Sequence, residues 1–199
     1  PERAASLDRF RLRCEQYKTL GLNRVYTPSG TRRAVTADDF AETPRCILEV
    51  GDIAQEFELT AMIEFIRTST HLSTLTSALA TIREADHPHV SPMLDFFHFW
   101  SGLSKFQDLD LLRNGELQHC HFQDLLDTPR ELIDNDSRLI PGDGIAPVGN
   151  ILRKLKERGF TGPLSVELFR AEYVEGDPYE VALEIKQKCE AVMERAGVL

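Results

Sequence analysis

The chain has 199 residues, a hydrophobic fraction of 42% and a formal net charge of −9. That is one domain's worth of chain with enough apolar side chain for a sizeable core. The acidic balance and the lack of a basic stripe argue against a nucleic-acid partner, and no run approaches the roughly 18 apolar residues of a membrane span.

Leu7 to Leu20 alternates charged and apolar residues at helical spacing, and Gly21 stops it. Leu22 to Thr27 is a short strand candidate, and Pro28 to Thr36 a polar loop. Thr36, Asp38 and Asp39 form a helix start, with a helix to about Gln55 interrupted near Pro44. Leu59 to Ile66 is a strand carrying Glu64, and Ser73 to Ala85 a helix whose opening hydroxyls can cap it. Val90 to Phe96 is a strand ending near Asp95, followed by a short helix from Lys105 to Arg113 that Asn114-Gly115 stops. Glu116 to Phe122 is a strand carrying His119 and His121. Gln123 to Gly149 is long and turn-rich, the kind of loop that tends to be functional. A helix from Val148 to Arg158 is closed by Gly159. Its basic residues alternate with apolar ones, so they read as a solvated face. Pro163 to Phe169 is the cleanest strand, and Pro178 to Ala196 the final amphipathic helix.

Helices alternating with strands imply a parallel α/β sheet with right-handed crossovers. The whole of residues 1–199 reads as one domain. The four cysteines (Cys14, Cys46, Cys120, Cys189) are scattered, with no CxxC pair, and read as reduced thiols of a cytoplasmic protein.

Four metal-ligand-type side chains, Glu64, Asp95, His121 and Glu167, stand at strand ends about one βα repeat apart. In a parallel α/β barrel such positions converge on one face, where active sites lie. Three carboxylates and one imidazole make a hard, oxygen-rich donor set. It suits Mn²⁺ first, with Mg²⁺ or Co²⁺ as alternatives, and a structural zinc less well. Each residue has a competing reading. Asp95 can cap the following turn. His121 can be a core histidine bonded to Asp124. His119 shares its face and competes as ligand, whereas Cys120 points the other way. His98 is either a substrate contact or packed among Phe96, Phe97, Phe99 and Trp100. Trp100 can floor a sugar pocket. Arg138 either holds a substrate oxygen or pairs with Asp134 or Asp136 in a solvated loop. Gly142 and Gly144 serve a turn, since PGDG is too short and acidic for a phosphate cradle.

Five motifs in order carry a resemblance: the glutamate of MIEFI, the D-x-x-H from Asp95 to His98, HCHFQD from His119 to Asp124, RLIPGDG from Arg138 to Gly144, and GPLSVELF ending at Phe169. Over about residues 7–197 the chain resembles the xylose-isomerase-like TIM barrels of the sugar phosphate isomerase/epimerase group. The resemblance implies one divalent metal held by Glu64, Asp95, His121 and Glu167, with His98 and Arg138 on the substrate. It also implies eight βα units, of which this chain offers five, matching the fourth to the eighth. With Pro1 in place of an initiator methionine, the expectation is a partial barrel lacking the first three units. Such a sheet has open edges. The chain is then either a fragment or completed by another copy as a homo-oligomer. Ketose 3-epimerases carry an acidic residue where this chain has Thr70, which leaves only the broader class.

The expected activity is isomerisation or epimerisation of a small sugar or sugar phosphate. Glu64 and Glu167 shuttle the α-proton, and the ion stabilises the enediolate. The alternatives are a dehydratase of a sugar-derived ketone, like inosose dehydratase, and an inactive truncated barrel. A nuclease of the endonuclease IV type fits poorly with six histidines and an acidic chain.

Overall fold

A computed structural model of the chain describes residues 2–199. These form two compact units, one ending at Met93 and the other beginning at Leu94.

The first unit runs α1 (Glu2–Thr19), β1 (Arg24–Pro28), α2 (Ala37–Glu56), β2 (Thr60–Glu64), α3 (Leu75–Ala85) and the start of β3 (Val90–Asp95). β1 pairs parallel with β2, from Arg24↔Thr60 to Pro28↔Glu64. β2 pairs parallel with β3, from Ala61↔Val90 to Glu64↔Met93. Cys14, Val25, Ile53, Ala54, Leu59 and Ala61 make a buried cluster between helices and sheet. α2 opens with a capping box: the Asp39 N–H donates to Thr36 Oγ1, and the Thr36 N–H returns a bond of 2.8 Å to the Asp39 carboxylate. α3 is capped in the same way by Thr74 and Ser77. The interruption expected near Pro44 does not occur, and α2 continues through it. Pro44 is itself buried, and Ile47, Ile53 and Ala54 beyond it are buried too. Burial along that face outweighs the ~3 kcal/mol a proline costs inside a helix.

The second unit holds the last two residues of β3, then α4 (Phe96–Ser101), β4 (Cys120–His121), β5 (Asp124–Leu125), β6 (Arg138–Leu139), α5 (Val148–Glu157), β7 (Leu164–Ser165), α6 (Ala171–Glu175) and α7 (Pro178–Ala196). β3, β4 and β7 are parallel, in the register Asp95↔His121↔Ser165. All pairings among β1, β2, β3, β4 and β7 are parallel, so the α/β class and the TIM-barrel type of sheet are those expected. The strands around β4 and β7 are shorter than expected. Only Cys120–His121 and Leu164–Ser165 keep ladder geometry, and Glu167 lies just past its strand. The helix expected from Lys105 to Arg113 is a 3₁₀ turn, Phe106–Leu111. Its Asp110 is bound by Arg158 and, at 2.6 Å, by Lys154, both at the end of α5. α5 buries Val148, Ile151, Leu152 and Leu155, a helical stripe facing the core.

The long loop is not structureless. β5 and β6 form an antiparallel ribbon, Asp124↔Leu139 and Leu125↔Arg138. The buried Asp124 carboxylate fastens it by accepting the N–H groups of Leu125 (2.8 Å), Gly142 (3.0 Å) and Ala146 (2.8 Å). Gly144 is required at its place, because a Cβ there would lie 2.2 Å from the Leu125 carbonyl oxygen. Among the described residues no helix is long and apolar enough to cross a membrane.

Candidate metal centre

Side chains alternate along a strand and match across a parallel register. Asp95 on β3 and His121 on β4 therefore share one side of the sheet. Glu167, two residues beyond Ser165, returns to that side. Asp95, His121 and Glu167 each offer a ligand atom, all within 4.8 Å of one another. His121 Nδ1 is 3.4 Å from Asp95 Oδ2 and 3.5 Å from Glu167 Oε2. Asp95 is fully buried, while Glu167 keeps 28% of its side chain exposed.

Asp95 fills the capping role suggested for it. Its Oδ1 caps α4 by accepting the His98 N–H at 2.9 Å, and its Oδ2 faces the cluster. Asp124 fastens the ribbon through backbone N–H groups, and His121 lies beside Asp95 and Glu167. His119 Nε2 is 2.9 Å from Ser165 Oγ, and His119 is outside the three-residue cluster. Cys120 is buried, and burial pushes its thiol well up.

Arg138 corrects another expectation. It is not in a solvated loop with Asp134 or Asp136. It sits on β6, 2% exposed, and its Nη1 is 2.7 Å from Asp95 Oδ2 and 3.0 Å from Glu167 Oε2. Its guanidinium lies 4.3 Å from the Phe97 ring centre and 5.2 Å from that of Phe169. Asp134 instead accepts the Ser137 hydroxyl. His98 Nε2 is 3.4 Å from Arg138 Nη2. Trp100 is half-buried on α4, two residues on, and a two-residue helical step turns it to another face. Burial alone would raise the Asp95 carboxyl. The His121 imidazole and the Arg138 charge outweigh that and hold it below the usual carboxylate range.

In the first unit, Glu64 is buried at the C-terminal end of β2, and its carbonyl accepts the Ser29 N–H. Thr70, where epimerases are acidic, ties a loop: its hydroxyl donates to the carbonyls of Arg33 (2.5 Å) and Thr31 (3.2 Å).

Sequence reasoning missed Gln123, fully buried, whose Nε2 donates to Asp95 Oδ1 at 2.6 Å. It also missed the partnership of Phe97 and Phe169 with Arg138. Alternation could have found two of them: Gln123 is two residues past His121, and Phe169 two past Glu167.

Carboxylate, imidazole and carboxylate donors beside a buried arginine, on parallel strand ends, define an α/β protein with a site for a divalent cation. The family described as xylose isomerase-like TIM barrel matches residues 1–191, and the chain belongs to it. Among curated relatives, the inosose isomerase of Bacillus velezensis is 27% identical over 192 residues, covering 95% of this chain and 69% of its own length. The 3-dehydroshikimate dehydratase of Pseudomonas putida is 26% identical over 169 residues, covering 82% of this chain and 26% of its own length. Among solved structures, the IolI protein with a zinc atom matches with a TM-score of 0.88 at 26% identity, over 95% of this chain and 69% of that one. Inosose isomerases match over 45% to 69% of their own lengths, so the chain spans only part of these relatives. By these comparisons it is isomerase/epimerase-like.

Proposed function

We propose that this chain carries the metal centre of an isomerase acting on a small hydroxy-ketone of the sugar type. The observation that supports it most is the approach of Asp95, His121 and Glu167 ligand atoms to within 4.8 Å of one another. Glu64 is the proposed fourth ligand, from its buried strand-end position. The inosose isomerase relatives favour a cyclic polyol ketone as substrate, and phosphorylated sugars are the wider class.

A divalent ion in this donor set would act as a Lewis acid on the carbonyl and adjacent hydroxyl of the substrate. The proposed metal is Mn²⁺ from the oxygen-rich donors, and Zn²⁺ is what the similar IolI structure holds. Glu167 is the more solvent-reachable carboxylate of the cluster and would take the α-proton, while Glu64 would return it. Arg138, with the Phe97 and Phe169 rings against its guanidinium, would orient a substrate oxygen, and His98 would donate to a second. Trp100 is the proposed apolar floor. The scattered free thiols keep a cytoplasmic location as part of this reading.

The test is a thermal-shift titration with Mn²⁺ and Zn²⁺ beside Glu167→Gln. A metal-dependent rise that the variant loses is expected. An equal rise in both would sink the site. Turnover is then followed by NMR in D₂O with an inosose. Isomerisation with deuterium incorporated at the α-carbon is expected.

A dehydratase is the second reading, favoured by the similarity to 3-dehydroshikimate dehydratase. It shares the first proton abstraction but then expels a β-hydroxyl. Growth of a conjugated-enone ultraviolet band, in place of an isomer, would select it.

A further inference from the structure

Asp95 has two carboxylate oxygens, and the structure divides them. Oδ1 accepts the Gln123 amide N–H at 2.6 Å and the His98 backbone N–H at 2.9 Å. Oδ2 faces Arg138 Nη1 at 2.7 Å and His121 Nδ1 at 3.4 Å. An ionised carboxylate only accepts hydrogen bonds, so Gln123 must turn its NH₂ toward Asp95 and its carbonyl oxygen away. That oxygen, Oε1, is buried with no hydrogen-bond partner among the described residues. A fully buried amide leaves an acceptor unmet in this way only where its donor half gains more, and a hydrogen bond to a charged acceptor is of the strong kind. A methionine of similar shape would fill the space without leaving an orphaned oxygen. The donor therefore has a purpose that packing does not supply.

We infer that Gln123 is a positioning residue: it closes Oδ1 of Asp95 and leaves Oδ2 as the single oxygen this carboxylate presents to a cation. With Oδ1 held by Gln123, just past β4, and by the first turn of α4, turning the carboxylate to engage an ion through both oxygens would break these two hydrogen bonds. The coordination position the second oxygen would have taken stays open for a substrate oxygen. Hydrogen bonds that orient a ligand typically change metal affinity by roughly 10- to 100-fold. The inference rests on the metal-centre reading above.

The test uses the 199-residue chain with Gln123→Met, which removes the donor at similar volume, and Gln123→His at about pH 8, whose neutral imidazole keeps an N–H donor without adding charge. Mn²⁺ binding is measured by counting free Mn²⁺ with electron paramagnetic resonance, and Co²⁺ is added for its visible spectrum. A circular dichroism melt without metal verifies folding. A loss of Mn²⁺ affinity of about tenfold or more is expected for Gln123→Met. So is a change in its Co²⁺ band intensity, because Oδ1, then held by the His98 N–H alone, can turn toward the ion. Gln123→His should lose less than the roughly tenfold expected of Gln123→Met. A folded Gln123→Met with parent-like affinity and spectrum would overturn the inference and leave the metal centre intact. So would a Gln123→His as weak as Gln123→Met. If the unsubstituted chain binds neither ion, the metal-centre reading falls, and this inference with it. Should Gln123→Met fail to fold, Gln123→His decides alone through its affinity and spectrum.

Discussion

Arg138 is a full positive charge with 2% of its side chain exposed, and its stability depends on Asp95 and Glu167. Removing one member of such a buried pair leaves an uncompensated charge, at about 3–5 kcal/mol. Arg138→Ala should therefore lower unfolding free energy in urea by about 3 kcal/mol or more without metal. Added Mn²⁺ should recover part of that, because a cation again neutralises the two carboxylates. Equal losses with and without metal would mean that these carboxylates do not bind the ion. The clustering of Asp95, His121 and Glu167 was legible in the sequence, since each is a polar side chain on the same alternation face at or just past a strand end. Arg138 was legible as a residue but not as a place. The segment that carries it has no period to read, and its burial comes from a ribbon set by long-range hydrogen bonds. Gln123 continues the alternation of His121, but it falls between β4 and β5 where the expected strand had ended, and a glutamine there does not by itself indicate a role.

At the scale of elements, one carboxylate organises the ribbon that delivers Arg138. Asp124→Ala leaves three backbone N–H groups without their charged acceptor, for a loss on the order of 3 kcal/mol. Gly144→Ala pushes a methyl group into the Leu125 carbonyl. Both variants should also weaken Mn²⁺ binding although neither touches a ligand, which isothermal titration would read. The cap of α2 gives a pH prediction. Arg33 first, then the Thr36 N–H, holds the Asp39 carboxyl below the usual carboxylate range. Its folded value is depressed, so its contribution is present above the ordinary aspartate value near 3.9 and is lost as pH falls through the lowered one. Asp39→Asn should flatten the acid side of the stability curve. The second and third helices of the first unit were legible to within two residues, because capping residues mark their starts, whereas α1 begins at Glu2, ahead of the expected Leu7. The short strands β4 and β7 were overextended, because apolar alternation continues past the point where the ladder stops.

For the molecule as a whole, Asp95, His121, Glu167, Arg138 and Gln123 all belong to the unit that begins at Leu94. Hydrogen exchange with and without Mn²⁺ should show new protection in residues 119–125 and 164–169. If Glu64 joins the ligand set, residues 60–66 gain protection too, and their indifference would remove it. Cys120 adds a means of timing these events. It is the immediate chain neighbour of His121, without solvent exposure, and its thiol is held far from the reactive thiolate by burial. With Cys14→Ala, Cys46→Ser and Cys189→Ser removing the other thiols, an alkylating reagent can reach sulfur only when β4 parts from its neighbours. The labelling rate then reports the free energy of that opening. The backbone itself thus carries a stopwatch one bond from the proposed ligand. Metal binding should slow it by the same factor by which the ion favours the closed state.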